Sequence, residues 1–579
     1  MRCGMYDILF KNAVICDGTG ADSFVGDVAV RDGVIAAVGR AGGEALRVVD
    51  AAGRTLTPGL IDPHSHADLS ALMYPGMEAY LLQGVTTVVG GNCGHSMAPM
   101  GDELYRSAVI DFPLTQAAEP SYFQLVSLLL PRDKAKRAAK ELYGIDMGWH
   151  SFGEYAQECG RRGLGANIAP LVGYSAVRNA VMGSDCMRDA RPDELDRLEA
   201  LVEQCMGEGA FGLSTGLDPQ YIPGLYATDE EMVRMLKVVA RYGGMFSSHT
   251  FNVGPDGRGG RMDGYRKMLD QALAAGVRAN VSHVHLLGMA SDAEGAMAAA
   301  RQTLACFRSA RERGLDLSYD VMPTPVAIDF TIPYFAFFLR PFVLMTGSRR
   351  RLAEAFRVSD FRAAVRAIIG AGLCPALDAA VPGNYFDLLS VTRHRRRGLE
   401  GLSLARIARE RGAEPLEAMM DVFAEDPDME AGMGSPDFAG ANDYLCAQEL
   451  AMPCSDGFSC APDTNLTMDE ELPVLPNPMN VSYTARFLTR FGGRFEDAVR
   501  KASGLVAERF NIARRGLIRP GFHADLVLMD RARLRSYDST DTPLRSPDGI
   551  DMVLVGGTVA AEKGAVTGAK AGRMLRMGE

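Results

Sequence analysis

Gly59-Leu60-Ile61-Asp62-Pro63-His64-Ser65-His66 closes an apolar run, residues 56–61, that Pro58 and Gly59 interrupt. It sets two imidazoles at i and i+2. Alternate residues of a strand face the same way, so both rings share one side. Two imidazoles on one side of a strand end can grip one divalent metal. The chain has only nine His, which gives the pairing weight. Two unconnected surface His in a loop are the plainer alternative, and metal binding is the stronger reading of this motif.

Outward from this stretch, apolar runs alternate with helical patterns, the mark of a parallel α/β sheet. Eight strands are predicted, near residues 56–61, 85–89, 166–172, 211–217, 245–248, 278–282, 316–321 and 452–455. Amphipathic stretches lie between them. One opens with Pro192, Asp193 and Glu194, a good helix start. Eight strand–helix units suggest a (β/α)₈ TIM barrel, with a doubly wound open sheet as the alternative. An insertion at about 324–450 separates strands 7 and 8, and its helical segments suggest a subdomain or lid. Residues 1–55 and 513–579 read as short strands around Gly turns, including a hairpin at Asp32-Gly33. Neither end can form a core alone. They are expected to meet in one small β-sandwich, leaving 56–512 for the barrel.

A chain of 579 residues is too long for one ordinary domain. Hydrophobic residues at 47% and charged ones at 23% fit a globular protein. The net charge of −11 argues against nucleic acid or an anionic membrane as the main partner. The first residues, Met1-Arg2-Cys3-Gly4-Met5-Tyr6-Asp7, lack the apolar stretch of a signal peptide. The most apolar segment, 332–345, is broken by Arg340-Pro341 and is too short to span a bilayer. The eleven Cys are scattered, odd in number and without a CxxC pair, which suggests reduced thiols and a cytoplasmic setting. Self-association into a homo-oligomer stays open.

Polar residues cluster at the predicted strand ends. His64 and His66 follow the first strand, and Cys93 in Gly90-Gly91-Asn92-Cys93-Gly94-His95 follows the second. His249, His283 and Asp456 end the fifth, sixth and eighth. Barrel active sites lie at the C-terminal ends of the strands, so all six converge on one mouth. A thiolate, imidazoles and a carboxylate are zinc's preferred donors. Singly, Cys93 reads as a small buried hydrophobe, His283 as a core His and Asp456 as a turn former. Jointly, the coincidence is hard to assign to chance.

These motifs resemble the amidohydrolase superfamily and, within it, the N-acyl-D-amino-acid deacylases (D-aminoacylases). The resemblance rests on residues 59–66, on Gln83-Gly84-Val85-Thr86-Thr87-Val88-Val89-Gly90-Gly91-Asn92-Cys93-Gly94 and on Gly209-Ala210-Phe211-Gly212-Leu213-Ser214-Thr215-Gly216-Leu217. It continues through the Ser-His pairs at His249 and His283, Ser455-Asp456-Gly457 and Gly521-Phe522-His523-Ala524-Asp525-Leu526-Val527. It implies that Cys93, His249 and His283 hold a tight zinc, with His64, His66 and Asp456 at a second, weaker metal position. Whether Cys93 bridges two metals stays open. It also implies a small-molecule amide substrate and Asp456 as the proton-transferring catalytic residue.

The chain leaves the family's pattern where substrate is recognised. Related deacylases usually carry Arg two residues after the fifth-strand His, where this chain has Phe251. They carry Lys two residues after the sixth-strand His, where it has His285. The stretch Asn477-Pro478-Met479-Asn480-Val481-Ser482-Tyr483 lacks a further Arg. Losing a bidentate guanidinium is not a mild change. Two readings follow. In one, the substrate carboxylate is held by other cations. Arg178 matches a family position, and Arg258 and Arg261 in the Gly-rich stretch after His249 are further candidates, although a solvated loop is the plainer reading of those two. In the other, the substrate is a neutral or cyclic amide against Phe251, Met479 and the aromatic run Phe330, Tyr334, Phe335, Phe337 and Phe338. That run reads somewhat better as core packing. His95, His285 and Tyr221 complete the candidate substrate contacts. The expected activity is that of an N-acyl-D-amino-acid deacylase with altered recognition. The alternatives are a cyclic amide or imide hydrolase and, in a different class, an inactive metal-site relict serving as a binding or assembly protein.

Overall fold

The computed structural model of the chain describes residues 5–107, 114, 128–217, 221–250, 260–286, 289–290, 292–324, 330–331, 334–371, 377–380, 384–433, 438–460, 465, 469–473, 475–476, 478–490, 493–537 and 545–579. Its centre is a set of parallel strands in chain order. These are β1 (Leu60–Asp62), β2 (Val85–Gly90), β3 (Asn167–Pro170, continuing past Leu171 as Val172–Gly173), β4 (Gly212–Gly216), β5 (Met245–His249), β6 (Arg278–Val281), β7 (Leu317–Val321) and β8 (Ala451–Pro453). Each pairs in parallel with the next. The segments that follow β1 and β8 also meet, through a parallel bridge between Ser65 and Gly457 and an Asp456 N–H donated to the His64 carbonyl at 3.1 Å. Strands β2, β4, β5 and β7 are buried along their whole length. Parallel strands covered on both faces read as continuous apolar runs, and this made them legible.

Helices connect the strands. They include α1 (Tyr174–Met182), α2 (Pro192–Gly207), α3 (Asp229–Arg241), α4 (Arg261–Ala275) and α5 (Ala293–Glu312). Helix α2 starts at the Pro192 the sequence suggested, with Asp193 and Glu194 in its first turn. The Thr228 side chain caps α3 and the Asp292 side chain caps α5.

The opening stretch needs a correction. Residues 56–61 were expected to form one strand and instead serve two sheets. Thr55–Pro58 pairs with strands from both chain ends, whereas Leu60–Asp62 is β1. The passage between them is tight. A Cβ added at Gly59 would lie 2.0 Å from Thr86 Oγ1.

Both ends of the chain share one nine-stranded sheet. The N-terminal part supplies Tyr6–Ile15, Phe24–Arg31, Val34–Gly39, Ala45–Asp50 and Thr55–Pro58. The C-terminal part supplies Leu526–Met529, Ile550–Val555, Thr558–Glu562 and Ala565–Val566. The Asp32-Gly33 hairpin forms as expected, with both residues at positive φ (51° and 76°). Ile8, Phe10, Ile15, Val28, Leu56, Leu526, Leu528 and Leu554 pack into one core, so each end supplies what the other lacks. The final residues leave this sheet: Ile168 N–H donates to the Arg573 carbonyl and Leu575 N–H to the Ile168 carbonyl, at the start of β3.

The segment between β7 and β8 carries helices, among them Arg340–Thr346, Ser359–Gly370, Leu404–Arg411 and Pro415–Glu425. Phe335, Phe337 and Phe338 are buried there, with Phe335 against Phe423 and Phe338 against Tyr385. Core packing thus accounts for the three, while the Phe330 side chain lies outside the described residues. The Tyr334 ring faces the Arg349 guanidinium at 4.0 Å. Among the described residues, no helix is long and apolar enough to cross a membrane, and all nine described cysteines are free.

Candidate metal centre

Local devices in the backbone carry side chains to the C-terminal ends of the strands. At β1, Asp62 acts as a latch. Its carboxylate accepts from the His64 N–H at 3.1 Å and from the Ser455 hydroxyl at 2.5 Å, and the His66 N–H donates to the Gly457 carbonyl at 2.5 Å. The His-Ser-His and Ser-Asp-Gly segments are thereby fastened together. Burial pushes the Asp62 carboxyl up to about 7, despite the Ser455 and His64 hydrogen bonds that pull it down.

At β2, the Gly-Gly-Asn-Cys sequence has a physical reading. Gly91 has φ 73°, its N–H donates to Asp68 at 2.7 Å, and an added Cβ would lie 2.0 Å from the Leu171 carbonyl oxygen. The Asn92 amide donates to the Val89 and Ser65 carbonyls at 3.0 and 3.3 Å and accepts from Ser247 at 3.2 Å. It ties β2 to the chain after β1 and to β5. The next residue, Cys93, turns back into the cluster. Cys93, His283 and Asp456 adopt φ of 52°, 28° and 50°. Non-glycine residues in that region cost about 1–3 kcal/mol each and persist where their surroundings hold them.

All six residues meet. Cys93 Sγ lies 3.3 Å from His64 Nε2, 3.4 Å from His283 Nε2 and 3.8 Å from His249 Nδ1. His249 Nδ1 is 2.8 Å from His283 Nε2. Asp456 Oδ1 is 3.2 Å from His64 Nε2 and 3.4 Å from His66 Nε2, although neither contact has hydrogen-bond geometry. Two groups of donors overlap at His64: one with Cys93 and His283, the other with His66 and Asp456. Tetrahedral zinc with bonds of about 2.0–2.3 Å spaces its ligand atoms by about 3.3–3.6 Å. Most of these contacts fit that spacing, and the His249–His283 pair needs to open by about half an ångström. The donor set therefore fits zinc.

The electrostatics agree. Burial alone would raise the Cys93 thiol, but the His64 and His283 imidazoles outweigh it and hold it well below the usual thiol range. Burial likewise opposes ionisation of Asp456, and His283 and His64 reverse it. Burial would lower His66, yet Asp456 and Cys93 raise it to about 10. The Cys93 and Asp456 charges are thus matched by protons held on His64 and His66. A divalent cation must displace those protons. Zinc binding is expected to release protons and to weaken as pH falls below about 10, where His66 takes up its proton. Calorimetry in buffers of different ionisation enthalpy measures both.

Sequence reasoning missed Asp320. It is fully buried on β7, with Oδ1 3.2 Å from His64 Nδ1 and 2.6 Å from the donating His283 N–H, and Asn280 donates to its other oxygen at 2.5 Å. A carboxylate facing Nδ1 keeps a proton there and leaves Nε2 free to ligate. The available signal was a polar pair, Ser318 and Asp320, on one face of an otherwise apolar strand. Asp320→Asn is expected to cost about 10–100-fold in metal affinity, measured by competition with a chromogenic chelator.

The proposed substrate contacts divide. Tyr221 packs on the His249 ring at 4.4 Å and on His95 at 5.1 Å, and His95 meets His66 at 5.9 Å. His285 stacks on His283 at 5.8 Å, and burial together with the Arg261 and His283 charges pushes it well below the usual imidazole range. Met479 is buried in the main core, one residue before Asn480, whose side-chain oxygen abuts Gly457. Phe251 and Arg258 lie outside the described residues. Arg178 is corrected. Its guanidinium is fully buried in an ion pair with Glu231 and donates to the Cys186 and Arg188 carbonyls, so it is spent on scaffold. Arg178→Met would strand a buried carboxylate and is expected to cost about 3–5 kcal/mol in a denaturant melt. KM should not move. Arg261 is also corrected. Expected in a solvated loop, it is the first residue of α4 and only 4% exposed.

Known proteins carry the same organisation. The chain is 26% identical to a D-aminoacylase of Alcaligenes xylosoxydans xylosoxydans over 98% of this chain and 97% of that one. It is 28% identical to an N-acyl-D-glutamate deacylase from the same organism, over 98% and 96%. A solved D-aminoacylase with a binuclear metal centre superposes with a TM-score of 0.67 at 26% identity, covering 99% of this chain and 100% of that one. The amidohydrolase family model matches residues 47–436, from the last strands of the N-terminal part of the terminal sheet through seven of the eight parallel strands. The chain belongs to the amidohydrolase family, and it is a hydrolase of carbon–nitrogen bonds other than peptide bonds.

Proposed function

We propose that this protein is a zinc-dependent deacylase of small N-acyl amino acids, of the D-aminoacylase kind, acting at the Cys93–His249–His283 and His64–His66–Asp456 cluster. One observation carries the reading: a buried, ionised Asp456 touches two imidazoles of a metal-fitting donor set. Whole-chain likeness to two deacylases of acyclic N-acyl amino acids supports it over a cyclic amide substrate. We assign Cys93, His249 and His283 to the tighter position and His64, His66 and Asp456 to the weaker. We read the eight parallel strands as a closed (β/α)₈ barrel, supported by the Ser65–Gly457 bridge. The terminal sheet forms the second domain, and its boundary moves to residue 58.

A cation bound there supplies Lewis-acid polarisation and a water acidified towards a pKa of about 7. The chain's own residues do the rest. Asp456 takes a proton at its carboxylate oxygen and returns it to the leaving nitrogen. Asp62 and Ser455 keep that carboxylate against His64 and His66. Asp320 sets its carboxylate 3.2 Å from His64 Nδ1, which favours a proton on that nitrogen. The His95 and Tyr221 rings wall the side next to His66 and His249 and exclude bulk water. The test is a screen of zinc-loaded protein against N-acetyl-D-amino acids, N-acetyl-L-amino acids and cyclic amides. Hydrolysis of the D series is expected. Turnover confined to neutral or cyclic compounds would remove the deacylase assignment and leave the hydrolytic centre.

A further inference from the structure

We propose that Arg261 is the cation that receives the substrate's carboxylate, in place of the arginine and lysine that Phe251 and His285 displace from the family pattern. The inference rests on the deacylase reading and specifies its recognition site. Arg261 is 4% exposed, and its Nε and Nη2 have no hydrogen-bond partner among the described residues. Among the described residues it has no ion-pair partner. A guanidinium buried without a counter-charge is costly, and a ligand anion removes that cost. The two open nitrogens form one edge of the fork, the edge that takes a carboxylate bidentately.

Its position suits that role. Arg261 begins α4, the fifteen-residue helix that follows β5 and His249, so it sits at the same end of the strands as the metal ligands. Gly260 offers no side-chain cap, which leaves first-turn N–H groups and the positive helix end open to an anion. One turn on, the Tyr265 hydroxyl is buried within interacting reach of the Arg261 guanidinium. Positions i and i+4 share a helix face, so a neutral donor stands beside the cation. The first-turn acid, Asp263, is engaged outward by Arg266 at 2.7 Å. Arg261 also acts electrostatically on His285, which stacks on the ligand His283.

The test uses binding, so it does not depend on turnover. Zinc-loaded Asp456→Asn protein is titrated calorimetrically with N-acetyl-D-methionine and with its neutral carboxamide, with and without Arg261→Met. Arg261→Met is expected to weaken the carboxylate probe at least about 10-fold and to leave the carboxamide within about twofold. Arg261→Lys should recover part of the loss. Removing an unpartnered buried charge should leave Tm unchanged or raised. Equal losses on both probes, an unchanged carboxylate affinity, no preference for the carboxylate when Arg261 is present, or a lowered Tm would overturn the assignment. Failure of wild-type protein to hydrolyse any N-acyl amino acid would instead count against the deacylase reading, with the binding comparison still deciding Arg261.

Discussion

Asp456→Asn is expected to lower kcat by about 10²- to 10⁴-fold while the fold and the metal held by Cys93, His249 and His283 persist. The amide is nearly isosteric, and the backbone N–H of residue 456 still donates to the His64 carbonyl. The scaffold around it is set by Asp62 and Ser455, which the substitution leaves alone. What is lost is a carboxylate held in its charged form by His64, His66 and His283. A neutral amide takes no proton from water and has none to give the leaving nitrogen. KM should change little, because the group acts on the proton and not on the substrate's bulk. Steady-state kinetics with circular dichroism and metal analysis separate these outcomes. Near-wild-type hydrolysis would remove Asp456 from the mechanism.

Cys93→Ala is expected to weaken the tight metal by about 10²-fold or more, and activity should fall with it. Cys93 supplies the sulfur within 3.8 Å of three imidazoles, and its negative charge balances theirs. Removing it takes away the one anion that His64, His249 and His283 share among the described contacts. Alanine at φ 52° is strained no more than cysteine there, so backbone strain predicts no change and Tm is not diagnostic. Metal affinity is the diagnostic readout. Thiol chemistry gives an independent one: Cys93 should resist alkylation in the loaded protein and react once chelator removes the metal. Free reaction in loaded protein would contradict its role as ligand.

Much of this was legible in the sequence, for identifiable reasons. The parallel strands are buried on both faces and read as apolar runs, so His64, Cys93, His249, His283 and Asp456 stood out as polar residues at their ends. What escaped notice depended on partners far along the chain. Asp320 reads as one acid in a strand until His64, more than two hundred residues earlier, is beside it. Arg178 looked available because nothing local reveals that Glu231 occupies it. Arg261 looked solvated because it follows a glycine-rich loop, while its burial comes from α4 packing back on the strands. Residues 56–61 looked like one strand because apolarity does not say which of two sheets takes each half.

The most direct test of the account is a zinc titration of chelated protein followed by hydrolysis of an N-acetyl-D-amino acid. Activity should be absent in the chelated protein, rise in proportion to bound zinc, and fail to return in Cys93→Ala at the same zinc concentration. Full turnover by metal-free protein, or none by fully loaded protein across the whole amide panel, would contradict it.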